Sequence, residues 1–209
     1  MKNTSIAKIL SFIVIGVGCM VSMGWFLDIP LLKSILPHWV TMKFSTAAAF
    51  IASGAVLYYV VESQRGKKAV AQMVLPVAAL LILLLMATLL MSVLLGIRTG
   101  IEDLFVKEEA GAVKTTTPGR PSVGTMVDFI LIGVTGLLAV FNPEGMKKAL
   151  RWIGLVVAIV GGLAILGYII NAPVLYYTIA GFSTAMAMHT AILFTLIGIG
   201  FWLLGKGDN

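Results

Sequence analysis

The sequence predicts an all-α integral membrane protein, with six transmembrane helices forming three parallel helical-hairpin repeats about a pseudo-threefold axis. Hydrophobic residues make up 59% of the chain and charged residues 11%, against about 25% charged residues in ordinary soluble domains. Six apolar runs approach the length of about 20 residues that crosses a bilayer. Six such runs in 209 residues leave too little polar surface for a soluble protein.

A motif of Thr, Phe and Gly at steps of four occurs once in each successive pair of apolar runs. Its copies are Thr46–Phe50–Gly54, Thr125–Phe129–Gly133 and Thr190–Phe194–Gly198. A shuffled chain of the same composition would contain about 0.07 copies, so three copies indicate internal repeats. The predicted repeats cover roughly 1–68, 69–148 and 149–209, within a single membrane domain. Each repeat crosses the membrane twice, so all three should point the same way.

A second pattern begins with a glycine and precedes each copy of the motif. It covers residues 24–32, 96–104 and 167–175. The distance from its first glycine to the motif threonine is 22, 29 and 23 residues. We therefore expect an insertion in the middle repeat.

The six helices are predicted near 6–27, 44–61, 69–97, 125–142, 150–170 and 187–204. The first could be mistaken for a secretory signal because Lys2 and Lys8 precede it, but its removal would leave the second helix without a partner. The second is short, yet its alanines and glycine indicate close packing on other helices. Pro76 lies in the first turns of the third, where neighbouring helices can tolerate a kink.

The connections that follow the first, third and fifth helices lie on one side of the membrane and are long; we call them the outer connections. Residues 28–43 and 100–106 mix apolar and charged side chains, so each is expected to form a short interfacial helix. Residues 107–121 are polar and are expected to be mobile, and residues 171–185 are uncharged. Together these segments should cap the bundle.

The basic residues predict the orientation of the chain. One side of the membrane would hold Lys2, Lys8, Arg65, Lys67, Lys68, Lys147, Lys148, Arg151 and Lys206, with Glu62, Glu144 and Asp208. The whole net charge of +6 then lies on this side. We expect both termini in the cytoplasm and anionic lipid as the partner of this charge. A nucleic-acid role is not expected, since no basic and aromatic cluster lies outside the membrane.

Six motif side chains are candidates for packing the bundle or lining a ligand. They are Thr46, Phe50, Thr125, Phe129, Thr190 and Phe194. A threonine hydroxyl can bond a carbonyl of its own helix one turn back, and phenylalanine is an ordinary packing residue in membranes. Packing alone is the simpler interpretation, and a ligand-lining role is the alternative.

Two ionisable residues in or beside these helices are candidate functional residues. Asp128 follows Thr125 by three positions, and acids inside membrane helices are costly and often functional; alternatively it meets water near the helix end. His189 precedes Thr190 and could bind a haem or chlorin metal. Because no second histidine lies at ligand spacing, a hydrogen-bonded histidine is the preferred interpretation. We find no other metal motif, no phosphate loop and no nucleophile with a base, so no catalysis is expected and no cofactor is identified.

Five segments of the chain carry a family resemblance: residues 24–37, Met42-Lys-Phe-Ser-Thr-Ala47, residues 100–105, Pro118-Gly-Arg-Pro121 and Met188-His-Thr-Ala191. They resemble the hydrophobic N-terminal sensor regions of bacterial membrane-bound histidine kinases and diguanylate cyclases. The resemblance covers nearly the whole chain. It implies a non-enzymatic, ligand-responsive input module in the bacterial inner membrane, with a hydrophobic ligand as a partner.

The chain also departs from those proteins. Gly124-Thr125-Met126 stands where they favour Asn-Thr-Ala, and no signalling domain follows the last helix. The alternative is a structural or accessory subunit of a larger membrane complex, energy-converting and associated with pigment or haem. The expected protein partner is accordingly a second copy of this chain or a larger membrane complex. A transporter is disfavoured because few polar groups could line a path.

Overall fold

The computed structural model describes residues 2–141, 145–177 and 182–207, and it is all-helical. The long helices are α1 (Lys2–Phe26), α2 (Phe44–Gln64), α3 (Lys68–Leu94), α4 (Val123–Phe141), α5 (Met146–Ile169) and α6 (Met188–Lys206). All six are long and apolar enough to cross a membrane, so the chain is a multi-pass membrane protein in contact with lipid. Two acids used to predict the orientation, Glu144 and Asp208, lie outside the described residues, as does part of the third outer connection, 178–181.

The observed helices overlap all six predicted spans. The helix α3 ends at Leu94 rather than near residue 97, because Gly96 adopts a left-handed backbone with φ of 65°. The Ile97 amide then donates to the Ser92 carbonyl at 3.1 Å, which is the bond of a glycine-terminated helix.

Consecutive helices pack as hairpins. The most extensive contacts join α1 to α2, α3 to α4 and α5 to α6. Further contacts between α2 and α3, between α4 and α5, and between α6 and α1 close the six helices into a ring. Because α2 also touches α4 and α6, these three helices form the interior, while α1, α3 and α5 carry many of the exposed large hydrophobic side chains.

Each peripheral helix buries one stripe with the same spacing. The stripes include Ala7, Ser11, Val14, Gly18, Val21 and Gly24 on α1; Leu75, Ala79, Ile82, Met86, Leu89 and Ser92 on α3; and Leu150, Gly154, Val157, Gly161, Ala164 and Gly167 on α5. Such steps of three and four place one narrow face toward a partner helix. The opposite face meets lipid, as at Phe12, Leu84 and Ile159.

The motif glycines allow close approach of the two helices within the hairpins. A methyl group added at Gly198 would lie 2.5 Å from the carbonyl oxygen of Gly154 on α5. One added at Gly54 would lie 2.9 Å from the carbonyl oxygen of Ser11 on α1. These distances are too short for a side chain, so glycine sets the separation of both helix pairs.

The helices in the outer connections are shorter than expected. They are single turns at Pro30–Lys33, Ile101–Asp103 and Pro173–Tyr176. The first turn ends at Ser34, whose backbone is extended with φ of −145° and whose hydroxyl donates to the Leu36 carbonyl at 2.8 Å. That local bond competes with a longer helix.

The glycine-led pattern of the middle repeat is displaced by four residues from the alignment that the sequence suggested. Gly24 and Gly167 accept the amide hydrogen bond that closes their helices, and in α3 the acceptor is Ser92. Gly96 instead takes the left-handed conformation seen at Asp28 and Asn171. The local geometry therefore pairs Ser92, and not Gly96, with the other two glycines.

Candidate functional site

The three motif phenylalanines meet at the centre of the bundle. The ring centroids of Phe50 and Phe129 are 4.7 Å apart, those of Phe50 and Phe194 are 4.9 Å apart, and those of Phe129 and Phe194 are 4.8 Å apart. All three side chains are fully buried. Tilted and edge-to-face rings at this separation attract one another beyond their buried area. This cluster, the Phe triangle, fills the space where α2, α4 and α6 meet.

The three motif threonines are also buried, and each is the third residue of its helix. Thr46, Thr125 and Thr190 each expose 2% of their surface. We expected the Thr125 hydroxyl to bond a carbonyl of its own helix one turn back. Instead, it shares a 2.8 Å hydrogen bond with the Ser122 hydroxyl. Ser122 also accepts the Thr125 amide at 3.1 Å, so this pair caps the start of α4.

Asp128 lies inside the bundle rather than in water. Its side chain is fully buried, and neither carboxyl oxygen has a hydrogen-bond partner among the described residues. The expectation that it meets water at the helix end is therefore wrong. Buried polar groups are nearly always hydrogen-bonded, so an unpartnered carboxyl needs an explanation.

Tyr177 lies near Asp128 and packs against the start of α4. Burial, together with the nearby Asp128 carboxyl, raises the pKa of Tyr177 to about 12. The Tyr177 ring lies against Gly124, where an added methyl group would be 3.1 Å from the ring, and its hydroxyl donates to the Val160 carbonyl at 3.0 Å. Its backbone is left-handed with φ of 64°, which is strained for a bulky residue.

His189 lies apart from Asp128, in a cleft between α1 and α6. The backbone of Lys33 is near the imidazole, but neither ring nitrogen has a hydrogen-bond partner in the described part of the chain. The prediction of a hydrogen-bonded histidine therefore has only the nearby Lys33 backbone to support it. Within the described residues, no group of three or more His, Cys, Asp or Glu side chains could hold a metal ion.

The outer connections contain a buried ion pair that the sequence did not predict. The Lys43 ammonium lies 2.5 Å from the Glu108 carboxylate, and both side chains are at least 95% buried. Glu108 also accepts the Gly119 amide at 2.6 Å, and Lys43 donates to Thr115 at 2.8 Å. Burial lowers the pKa of Lys43, although Glu108 opposes this change. Residues 107–121, which we expected to be mobile, are thus anchored to the connection between α1 and α2.

A second buried pair joins Glu102 to Arg120 at 2.8 Å. Burial alone would raise the pKa of Glu102, but hydrogen bonds from Arg120, its own backbone, Ser92 and Thr99 lower it to about 2. Ser92 is the last residue of the buried α3 stripe, so this pair fastens the outer end of α3. Charged residues in a loop are usually solvated, and no sequence signal marked these as buried.

The middle connection also contacts the connection between α5 and α6. The Lys114 carbonyl accepts the Ala185 amide at 3.1 Å, and its ammonium donates to the Tyr176 hydroxyl. The Thr116 amide donates to the Thr184 hydroxyl at 3.2 Å. Residues 107–121 therefore join all three outer connections into one structure, the outer cap. Next to it lies a cavity of about 550 Å³ lined by Trp25, Asp28, Lys33, Glu109 and other residues.

Neither protein-family models, nor curated proteins, nor solved structures match this chain. The site is therefore interpreted from its own chemistry.

Proposed function

We propose that this chain is a non-enzymatic, ligand-responsive input module of bacterial membrane signalling, of the type that its sequence resembles. The observation that carries the proposal is the buried, unpartnered carboxyl of Asp128. Burying such a group in a membrane protein costs free energy, and ionisable groups in this environment are usually functional. A ligand, cation or proton that satisfies it would favour one state of the bundle over another, which is what a sensor requires.

Tyr177 connects this carboxyl to the outer cap. Its neighbour Tyr176 bonds Lys114 of the middle connection, while its own hydroxyl bonds α5. The left-handed backbone at Tyr177 stores strain, and strain of this kind is common in segments that switch. A change in the state of Asp128 would therefore alter the position of the outer cap and the packing of α4 on α5.

We also propose that the three hairpins are repeats about a pseudo-threefold axis through the Phe triangle. The equal spacing of the buried stripes on α1, α3 and α5 supports this arrangement. So do two matching bonds, from the Trp25 indole to the Met42 carbonyl at 2.8 Å and from the Tyr168 hydroxyl to the Met186 carbonyl at 2.9 Å. In such a symmetric frame Asp128 is the exception, since Ala49 and Leu193 follow the other two motif threonines at the same distance.

The proposed location is the bacterial inner membrane with both termini in the cytoplasm. The basic residues near the start of α1 and between α2 and α3 support this orientation. Two of them, Lys8 and Lys67, each lie 2.9 Å from the Glu62 carboxylate. The remaining basic side chains on that face are suited to anionic lipid headgroups.

The test is a fusion of the chain to a histidine-kinase output, reconstituted in vesicles and screened against lipids, quinones and other small hydrophobic compounds. We expect at least one stimulus to change the kinase rate, and we expect Asp128→Asn to remove that response. The matched control is Glu109→Gln, which alters an exposed acid in the outer cap. An output that ignores every stimulus, and also ignores substitution of Asp128 or Thr125, would overturn the proposal.

Purification in a gentle detergent distinguishes the second candidate, an accessory subunit of a larger membrane complex. A stoichiometric complex with a pigment- or haem-containing protein would replace the sensor proposal. A lone chain or a homo-oligomer would leave the sensor proposal standing.

A further inference from the structure

The cleft that contains His189 has the features of a separate binding site. It encloses about 270 Å³ between the outer half of α1, the first outer connection and the start of α6. Apolar side chains form most of its wall, including Ile13, Val17, Met20, Ile35, Ile192 and Leu196. The cleft lies between α1 and α6, whereas Asp128 lies on α4. The inference drawn from the cleft therefore does not depend on the proposed function.

His189 supplies unused hydrogen-bonding capacity to this apolar cleft. A neutral imidazole carries one N–H donor and one nitrogen acceptor, and here neither nitrogen has a partner among the described residues. Ser34 also lines the cleft, but its hydroxyl already donates to the Leu36 carbonyl at 2.8 Å. The imidazole is therefore the side chain in the lining of the cleft that has polar atoms without a hydrogen-bond partner among the described residues.

The walls of the cleft define the kind of ligand that it accepts. No charged side chain lines it within the described part of the chain, so the ligand is neutral. The rim residues Ile13, Met20 and Leu31 are 43%, 45% and 76% exposed, so the cleft opens toward the lipid. A volume of about 270 Å³ holds a single substituted ring, whereas a tetrapyrrole is too large for it.

We propose that this cleft binds the ring of a neutral, lipid-soluble quinone, with a ring carbonyl accepting a hydrogen bond from His189. The apolar walls would bury the ring, and the one polar contact would fix its orientation, which is the usual division of roles in small-molecule sites. A carbonyl is the suitable acceptor because it meets the imidazole donor without placing a charge in the membrane. Lipid esters also contain carbonyls, and the experiment below separates these two sources.

The test uses nitrogen-15 labelling of histidine, because the chain contains two histidines. The second, His38, is exposed and serves as an internal reference. The whole chain is placed in nanodiscs of ether-linked phospholipid, which has no ester carbonyl, and is titrated with decylubiquinone. We expect a saturable change in the ring resonances of His189 and no saturable change at His38.

Two variants that fill the cleft complete the design. Ile192→Trp on α6 and Val17→Phe on α1 enter it from opposite walls, and each should weaken the apparent affinity by about tenfold or more. The control Ile199→Trp adds the same ring to an exposed position of α6 that does not line the cleft, and it should leave the titration unchanged. Thermal transitions identify any variant that is not folded, and one folded cleft variant is sufficient.

Three results would overturn the inference. His189 resonances could remain unchanged at saturating quinone, or both histidines could shift together without saturation, as expected for simple partitioning into the bilayer. A folded cleft variant could also bind as well as the original chain. If ester-linked lipid alone produces the His189 shift, the occupant is a lipid carbonyl and the quinone assignment is wrong. None of these results depends on the kinase fusion.

Discussion

The polar side-chain atoms of Asp128 and His189 are buried and have no hydrogen-bond partner among the described residues, whereas the carboxylates of Glu102 and Glu108 are buried and paired. The sequence could single out Asp128 because an acid interrupts an apolar run. It could not predict the depth of Asp128, since the same helix position can face water or the interior. The paired acids of the outer cap gave no signal because their partners, Lys43 and Arg120, are distant in sequence.

The contrast between paired and unpaired carboxyls predicts opposite effects of alanine. Asp128→Ala removes an unpartnered polar group and should raise the free energy of unfolding by about 1–3 kcal/mol, reduced by the small cavity that it leaves. Glu108→Ala leaves the Lys43 ammonium buried without its partner and should lower that free energy by about 3–5 kcal/mol. Midpoints of unfolding by SDS measure both changes. Equal signs would contradict the burial and pairing described for these residues.

Glu102 predicts a loss of stability in acid. Its pKa falls from 4.5 to about 2 in the folded protein, so folding favours the ionised form. The resulting stabilisation is complete above about pH 4.5 and decreases as the pH falls toward about 2. Thermal transitions measured from about pH 6 to about pH 3 should therefore decline more steeply for the original chain than for Glu102→Gln. Glu109→Gln, at an exposed acid, should keep the steep decline; identical curves for Glu102→Gln and the original chain would contradict this assignment.

At the scale of the element, the helix spans could be predicted because apolar runs of this length have few other stable structures. The helix ends could not, because they depend on single residues, such as Gly96 with its left-handed backbone. The alignment of the glycine-led pattern in the middle segment was displaced for the same reason. The Ser92 carbonyl accepts the closing hydrogen bond and Gly96 takes the left-handed conformation, which glycines at fixed spacing in the sequence could not reveal.

The glycines of one hairpin predict a position-dependent effect of a single methyl group. Gly198→Ala on α6 would bring its Cβ within 2.5 Å of the Gly154 carbonyl, so α5 and α6 must separate. We expect a clear loss of thermal stability. Gly162→Ala on α5 meets no atom within 4 Å, so it should be neutral or slightly stabilising because alanine favours the helix. A similar loss in both variants would contradict the assignment of the Gly198 effect to helix separation.

At the scale of the whole molecule, the Phe triangle gives the proposed pseudo-threefold arrangement a quantitative test. Phe50→Ala, Phe129→Ala and Phe194→Ala each remove a fully buried ring, and each should lower the free energy of unfolding by about 3–5 kcal/mol. Equivalent surroundings should make the three losses similar. Phe12→Ala, at a side chain that is 56% exposed to lipid, should cost much less. One large loss with two small ones would contradict equivalence of the three hairpins.

The proposed orientation predicts which loops a membrane-impermeant reagent can reach. Cys19 is the only cysteine, so Cys19→Ser provides a background without cysteine. In that background, Lys107→Cys should react with an impermeant maleimide added outside the inner membrane, whereas Lys68→Cys should react only in inverted vesicles. Both lysines are exposed in the structure. The reverse pattern would place the termini outside the cytoplasm.

The outer cap has a consequence for how the chain is made. A membrane protein is synthesised from its N-terminus, so the first two hairpins can enter the bilayer before the third exists. Lys43 could then pair with Glu108, but Lys114 and Thr116 must wait for the last hairpin to supply their partners. Until it arrives, the second half of the loop stays open to proteases on the outer side. Its resistance to cleavage during synthesis would therefore report, in real time, when the final hairpin has docked.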